Sequence, residues 1–416
     1  MTNNNCFLPA EILLPNATVP MQTWAVVACD QFSSQPEYWA RVRERTAHVP
    51  SCMHLILPEA DLGTEREAAE TAQINQTMQR YLEDGIFVPY PNSYLYVERT
   101  LANGKVRKGL VGMVDLEAYD YTPGSGSAIR ATEGTVTERL PPRIRVRKDA
   151  AIELPHIMLL ADDHENVLLG AVTDAKQALK QVYDFDLMED GGHITGYLVD
   201  GAYAEAFSQR LSDYTAKVGQ KYPDLPGTPM VFAVGDGNHS LATAKACYEA
   251  YKQAHPDTAA THPSRYALVE LENIHDDALE FEPIHRVVTG TNPAALLQAL
   301  EQTACAQGGF PVQWKAGKQT GTVLLDRSKS QLAVGVLQHF LDEYLQEHAG
   351  TVDYIHDDDV LLNLAAQDQS IGFLLPNMEK SQLFRGVIAD GVLPRKTFSM
   401  GHAREKRYYL EGRKIR

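Results

Sequence analysis

The feature that most restricts the fold is an apolar run, Met230-Val231-Phe232-Ala233-Val234, that enters a tight turn and leaves it as a helix. The turn reads Gly235-Asp236-Gly237-Asn238-His239-Ser240, and good helix formers follow over residues 241–254. Consecutive apolar residues predict a buried strand, and the two glycines permit the backbone angles that reverse the chain. A buried strand feeding straight into a helix is the building unit of α/β folds. The rest of the chain alternates in the same manner. Trp24-Ala25-Val26-Val27-Ala28-Cys29 and His54-Leu55-Ile56-Leu57 read as short buried strands, with helices expected over residues 37–47 and 64–83. Asn103-Gly104 predicts a hairpin between strands at residues 93–99 and 107–115. Further strands are expected near 157–161, 266–273 and 321–325, and helices near 174–182, 202–218, 293–303 and 331–347. Residues 371–415 read mainly as strands and turns. The predicted class is therefore mixed α/β (α+β, with mixed sheets).

A chain of 416 residues is too long for one small core. Three regions are expected: residues 1–120, residues 121–290 carrying the turn, and residues 291–416. Their boundaries are soft enough to admit one compact unit. The net charge of −16 argues against general nucleic-acid binding, because affinity for phosphate backbones comes mainly from Lys and Arg. It leaves room for a local basic pocket and a small-molecule substrate. Cys6, Cys29, Cys52, Cys247 and Cys305 are scattered without metal-site or disulfide spacing. The first six residues lack the profile of a secretory signal, and no apolar run approaches the ~20 residues needed to span a bilayer. A cytoplasmic location is expected, which makes the sequons at Asn16 and Asn75 incidental. Oligomeric state is not legible.

The turn carries the sharpest chemical signal. The free amides and positive dipole end of the following helix lie beside Asp236 and His239, a natural place for phosphate or carboxylate. Asp236 has the chemistry to orient a hydroxyl or hold a metal, and His239 to donate to phosphate or exchange a proton. The plainer alternative is a strand-to-helix turn in which Asp236 or Ser240 merely caps the helix. The pattern is neither a Walker A loop nor G-x-G-x-x-G.

A second segment runs from Arg130 through Ala131-Thr132-Glu133-Gly134-Thr135 to Arg139, Arg143, Arg145 and Arg147. Glu133 could act as general base toward a hydroxyl, and the arginines suit bidentate contact with phosphate. The alternative is an exposed strand whose charges are solvated. His275, Asp276, Asp277, Glu280, Glu282 and His285 are metal-capable but fit no metal motif, and no tightly bound metal is expected. His356-Asp357-Asp358-Asp359 reads as a helix start, acids being favoured there. Asp190-Gly191-Gly192-His193 is a turn that could wall a pocket. The basic tail, Arg395-Lys396 and Arg404 to Arg407, either reaches a phosphate or forms a solvated face.

With these segments in view, the chain resembles the bacterial family built on the domain of unknown function 1015. The carriers are the Trp24–Gln31 block, Arg130 to Arg143, the turn, Leu154-Pro155-His156-Ile157, Glu282-Pro283-Ile284-His285-Arg286 and Leu393-Pro394-Arg395-Lys396-Thr397. The turn is also distantly similar to the phosphate-binding motif of the ParB/sulfiredoxin-like superfamily, which includes free-serine kinases. That resemblance implies a core of that type with additional α/β elements. It places Asp236, Gly237 and His239 on the motif and, more loosely, Glu133 on the catalytic glutamate. Where the motif has Arg, this chain has Ser240, so Lys245 or Arg143 would have to supply the missing charge. The function implied is a nucleotide-dependent phosphotransferase using ATP or ADP with Mg²⁺ on a small hydroxylated metabolite such as serine. Catalytic roles would fall to Glu133, Asp236 and His239, and phosphate or substrate binding to Arg130, Arg143, Gly235, Gly237, Asn238, Ser240 and Lys245. The alternatives are a non-catalytic nucleotide- or metabolite-binding regulator and a phosphoester hydrolase.

Overall fold

The computed structural model describes residues 5–32, 35–135, 140–225 and 228–416. Its largest element is an eleven-stranded mixed sheet. The main path runs Tyr119–Asp120, Ile129–Ala131, Phe232–Asp236, Met158–Ala161, Tyr266–Asn273, Val106–Asp115, Phe87–Thr100, His193–Val199 and Lys180–Asp186. Phe7–Leu8 and Ala10–Pro15 pair onto the long hairpin formed by 87–100 and 106–115. The Phe232–Asp236 strand lies parallel to Ile129–Ala131 and antiparallel to Met158–Ala161. This register brings the ends of two parallel strands and the beginning of a third to one edge of the sheet. Ligand sites in open α/β sheets gather at such an edge.

Period-two alternation sorts the apolar residues onto two faces. Phe232, Val234, Leu159 and Ala161 join one core with Leu241 and Tyr248 of the helix Asn238–Ala254. Ala233, Met158 and Leu160 point the other way, into a core shared with a second, five-stranded antiparallel sheet. That sheet comprises Gln319–Leu325, Phe310–Ala316, Ser370–Leu374, His285–Thr289 and Thr351–Ile355. Helices Pro293–Gln302 and Ala333–Glu347 contribute Leu296, Leu300, Leu337 and Leu341 to the same core. A third cluster joins Trp24, Val26 and Trp39 to Leu95, Val97 and Leu268 beneath the large sheet.

The mixed α/β class follows the sequence pattern, as do the 87–115 hairpin, with Gly104 at φ 80°, and the helix Asp358–Leu364. Asp357 caps that helix through the amides of Asp359 and Val360. Several elements differ from expectation. Residues 24–29 are not a strand: Trp24 ends the short helix Met21–Trp24, and Val26 makes a single bridge to Tyr409. Their apolar run reflects burial under the tail rather than membership of a sheet. Residues 143–147 belong to the helix Leu140–Arg147, with Pro141 and Pro142 in its first turn, where no backbone donor is required. Residues 380–390, expected as strand and turn, form a helix opened by a Glu379–Gln382 capping box. Among the described residues, no helix is long and apolar enough to cross a membrane.

Candidate functional site

The turn after Phe232–Asp236 is built by its glycines. A Cβ on Gly235 would stand 2.7 Å from Leu160 Cδ1, so any side chain here would have to push the Leu160 and Met400 side chains aside. Gly237 precedes the helix Asn238–Ala254 at φ 79°, a left-handed conformation costly for any residue with a Cβ. Among the described residues no side chain caps this helix start, and Gly237 to Ser240 line open space beside it. Asn238 fastens the turn to the neighbouring strand. Its Nδ2 donates to Thr132 Oγ1 (3.3 Å), and the Thr132 amide donates back to Asn238 Oδ1 (3.3 Å). The Thr132 hydroxyl in turn donates to the Val234 carbonyl at 2.6 Å. The residue after Thr132 is Glu133, so its position is inherited from this lock.

Glu133 also receives a hydrogen bond from the Lys396 amide at 3.1 Å and bridges Leu393 through its backbone. Burial raises its carboxyl pKa to about 7; the positive Lys396 and backbone donors oppose the rise, and the negative charge of Asp236 adds to it. Asp236 accepts from the Gly237 amide (3.0 Å) and pairs with Lys406 Nζ (3.3 Å). Behind the helix start, His156 Nε2 lies 2.9 Å from Ser240 Oγ, and its ring rests against Tyr409 with centroids 4.9 Å apart. Burial lowers the His156 pKa to about 4, with Arg143 and Arg407 adding to the effect and Asp236 opposing it. The ring is therefore neutral at physiological pH.

These groups face one cavity of about 460 Å³, which also takes in His239 and Arg143. Of the residues singled out in the sequence, Glu133, Arg143, Gly235, Asp236, Gly237, Asn238, His239 and Ser240 line it. Arg130 and Lys245 lie outside it. The Arg130 guanidinium is buried against the carbonyls of Ser127 and Thr228, holding its own strand in place. Lys245 donates to the Leu116 carbonyl at 2.8 Å and pairs with Glu249, one helical turn on. Neither brings its charge to the cavity. Glu138 and Arg139 fall outside the described residues.

Positive charge at the cavity comes from segments the sequence left open. Lys396, Arg395 and Lys406 of the tail line the cavity, as does Arg407. The 394–397 loop is held by Arg286, a fully buried guanidinium that donates to the carbonyls of Lys396 (2.9 Å) and Arg395 (3.1 Å). Arg286 also stacks on Tyr354, at 4.7 Å from the ring centre. Arg407 is clamped between Glu270 and Glu411, each at 2.6 Å. The His275–His285 segment does not converge on one site. His275 binds Asp162 (2.6 Å), His285 binds Asp358 (2.6 Å), and Glu280 reaches Lys105. Among the described residues, no three His, Cys, Asp or Glu side chains gather as a metal site. Asp190 and His193 border a separate open hollow beside Arg404.

An uncapped helix start flanked by lysines gathers anions, and a carboxyl poised near neutrality exchanges protons. Proteins of similar outline include a conserved hypothetical protein from Pyrococcus furiosus, at 12% identity and TM-score 0.35, covering 74% of this chain and 92% of that one. SbnI from Staphylococcus aureus, truncated at its C-terminus, matches at 11% identity and TM-score 0.36, covering 70% and 83%. A variant of a free serine kinase in complex with AMP matches at 12% identity and TM-score 0.38, covering 75% and 92%. Scores this low leave the chemistry to be read from the chain's own residues. No curated protein matches the sequence. Residues 9–392 match the model of one family, described as a protein of unknown function (DUF1015), and the chain belongs to that family.

Proposed function

We propose that the protein is a nucleotide-dependent phosphotransferase acting on a small hydroxylated metabolite such as serine. The observation that carries this reading is the meeting of Glu133 with the uncapped start of the helix Asn238–Ala254 in one cavity. The turn's likeness to a ParB/sulfiredoxin-like phosphate motif supports it. Helix amides, Lys396 and Lys406 would hold phosphate oxygens. His239 would stabilise charge on the transferred group, and Asp236 would orient the acceptor. Glu133 would take the acceptor's proton, a role suited to a carboxyl whose pKa lies near 7. Arg143 and the tail lysines stand in for the arginine that Ser240 replaces. The residues fit a nucleotide's phosphates. Mg²⁺ would arrive with those phosphates and be held by Asp236 or Glu133 at most, since no protein-only cage is present among the described residues.

A second reading, a regulator that binds nucleotide without turnover, draws on Ser240, whose hydroxyl is engaged with His156. Thermal shift with ATP or ADP and Mg²⁺ tests both. At about 100 times its dissociation constant a ligand stabilises the native state by about 2.7 kcal/mol. Asp236→Ala should lose that shift. Product formation from serine, abolished by Glu133→Gln with the nucleotide shift retained, supports the transferase over the regulator. Absence of any nucleotide shift in the unaltered protein removes both readings.

A further inference from the structure

The cavity extends well beyond a phosphate site, and its two ends differ in chemistry. On one side of the turn lies Glu133, against Lys396, Arg395 and Tyr354. On the other side contacts run from Ser240 to His156 to Tyr409, whose backbone bridges Val26. They lead into a chamber walled by Leu55, Ile56, Leu57, Met78 and Leu154, with Cys29 also on the lining. Ionic groups here are already satisfied: Arg147 pairs with Glu153 at 2.5 Å, and Glu153 also takes Arg413 at 2.7 Å. The Leu, Ile and Met side chains of this wall therefore offer apolar surface beside charges that are already paired.

Phosphoryl transfer places the attacking oxygen, phosphorus and leaving oxygen roughly in line. Glu133 would receive the acceptor's proton as its oxygen bonds to phosphorus. The bond to the leaving oxygen breaks on the opposite side, and its electron pair stays with the departing nucleotide. With the acceptor at Glu133 and phosphate at the helix start, the leaving side faces the apolar chamber. We infer that this chamber is the nucleoside subsite, where the base and ribose of the donor are buried against the N-terminal segment. The inference rests on the phosphotransferase reading. An apolar wall suits a flat aromatic base, which gains from burial and stacking without needing a charge.

Cys29 provides the test. Cys6 and Cys52 are buried, and Cys247→Ser with Cys305→Ser leaves Cys29 as the cavity-facing thiol for N-ethylmaleimide. ATP at about ten times its dissociation constant should slow Cys29 modification about tenfold. Inorganic tripolyphosphate, at a concentration giving the same thermal shift, should leave the rate unchanged. A chamber-filling Leu57→Trp should weaken ATP binding about tenfold, or about 1.4 kcal/mol, and spare tripolyphosphate. The subsite is overturned, with the phosphotransferase reading intact, in three cases: ATP binds without protecting Cys29, both ligands protect equally, or Leu57→Trp binds ATP normally. If neither ATP nor tripolyphosphate shifts the melting temperature, both ideas fall together.

Discussion

The turn at 235–240 and the tail from 393 to 413 meet across the same cavity, yet they are held by opposite kinds of force. The turn is set mainly by its own backbone, through the left-handed angle at Gly237 and the helix start that follows, with one neutral Asn238–Thr132 lock to the neighbouring strand. The tail is fastened by charges from distant parts of the chain. Arg407 reaches Glu270, Arg413 reaches Glu153, and Arg99 and Arg107 grip the carbonyls of Lys406 and Glu405. Buried ion pairs contribute modest net stability when intact but are costly to break, because the surviving partner is left charged and desolvated. The tail should therefore fail abruptly on losing one charge, and the turn gradually.

Arg407→Ala is the sharpest way to test this contrast. It strands Glu270 and Glu411 and should destabilise the fold by about 3–5 kcal/mol in urea unfolding. A loss under 1 kcal/mol would mean the tail is held by its apolar contacts. Glu133→Gln comes next and acts on chemistry. Turnover should fall by roughly 10²–10⁴-fold with nucleotide affinity unchanged, as for removal of a general base. Gly237→Ala should cost about 1–2 kcal/mol, the strain of a left-handed angle. Asn238→Ala, which removes the lock but leaves the backbone, should cost about 1 kcal/mol.

The smallest effect is in pH dependence. Glu133 binds its proton more tightly when folded, up to about pH 7, than when unfolded. Its contribution to stability is thus full at low pH and is lost as pH rises from the ordinary carboxylate range through about 7. His156 works in the opposite sense. Its folded pKa of about 4 lies below that of a free imidazole, so its contribution is present above the unfolded value and lost as pH falls through about 4. Subtracting the stability profile of Glu133→Gln from that of the unaltered protein should leave a fall toward pH 7. The His156→Gln difference should leave a rise from pH 4. Flat difference curves would show that neither group senses burial.

The strand-turn-helix at 230–254, the hairpin at 87–115 and the cap at Asp357 were legible because each is decided by neighbours in sequence. Glu133 and Asp236 were legible as chemistry-bearing residues beside glycine, although nothing local said that they face one cavity. Arg130 and Lys245 misled because a positive charge near a candidate site looks the same whether it points inward or ties down a carbonyl. His156 sat within a recognisable block, but its bond to Ser240 spans 84 positions. Lys396 and Lys406 carried no local sign that distinguishes a cavity wall from a solvated face.

The strand, the left-handed Gly237 and the helix start follow from neighbouring residues, since glycine angles, helix propensity and apolar alternation act over a few positions, whereas the Asn238–Thr132 lock needs the sheet. Tertiary structure alone decided which charges complete the site. Long-range packing brings the C-terminal tail over the sheet edge, and burial there sets the protonation of Glu133 and His156.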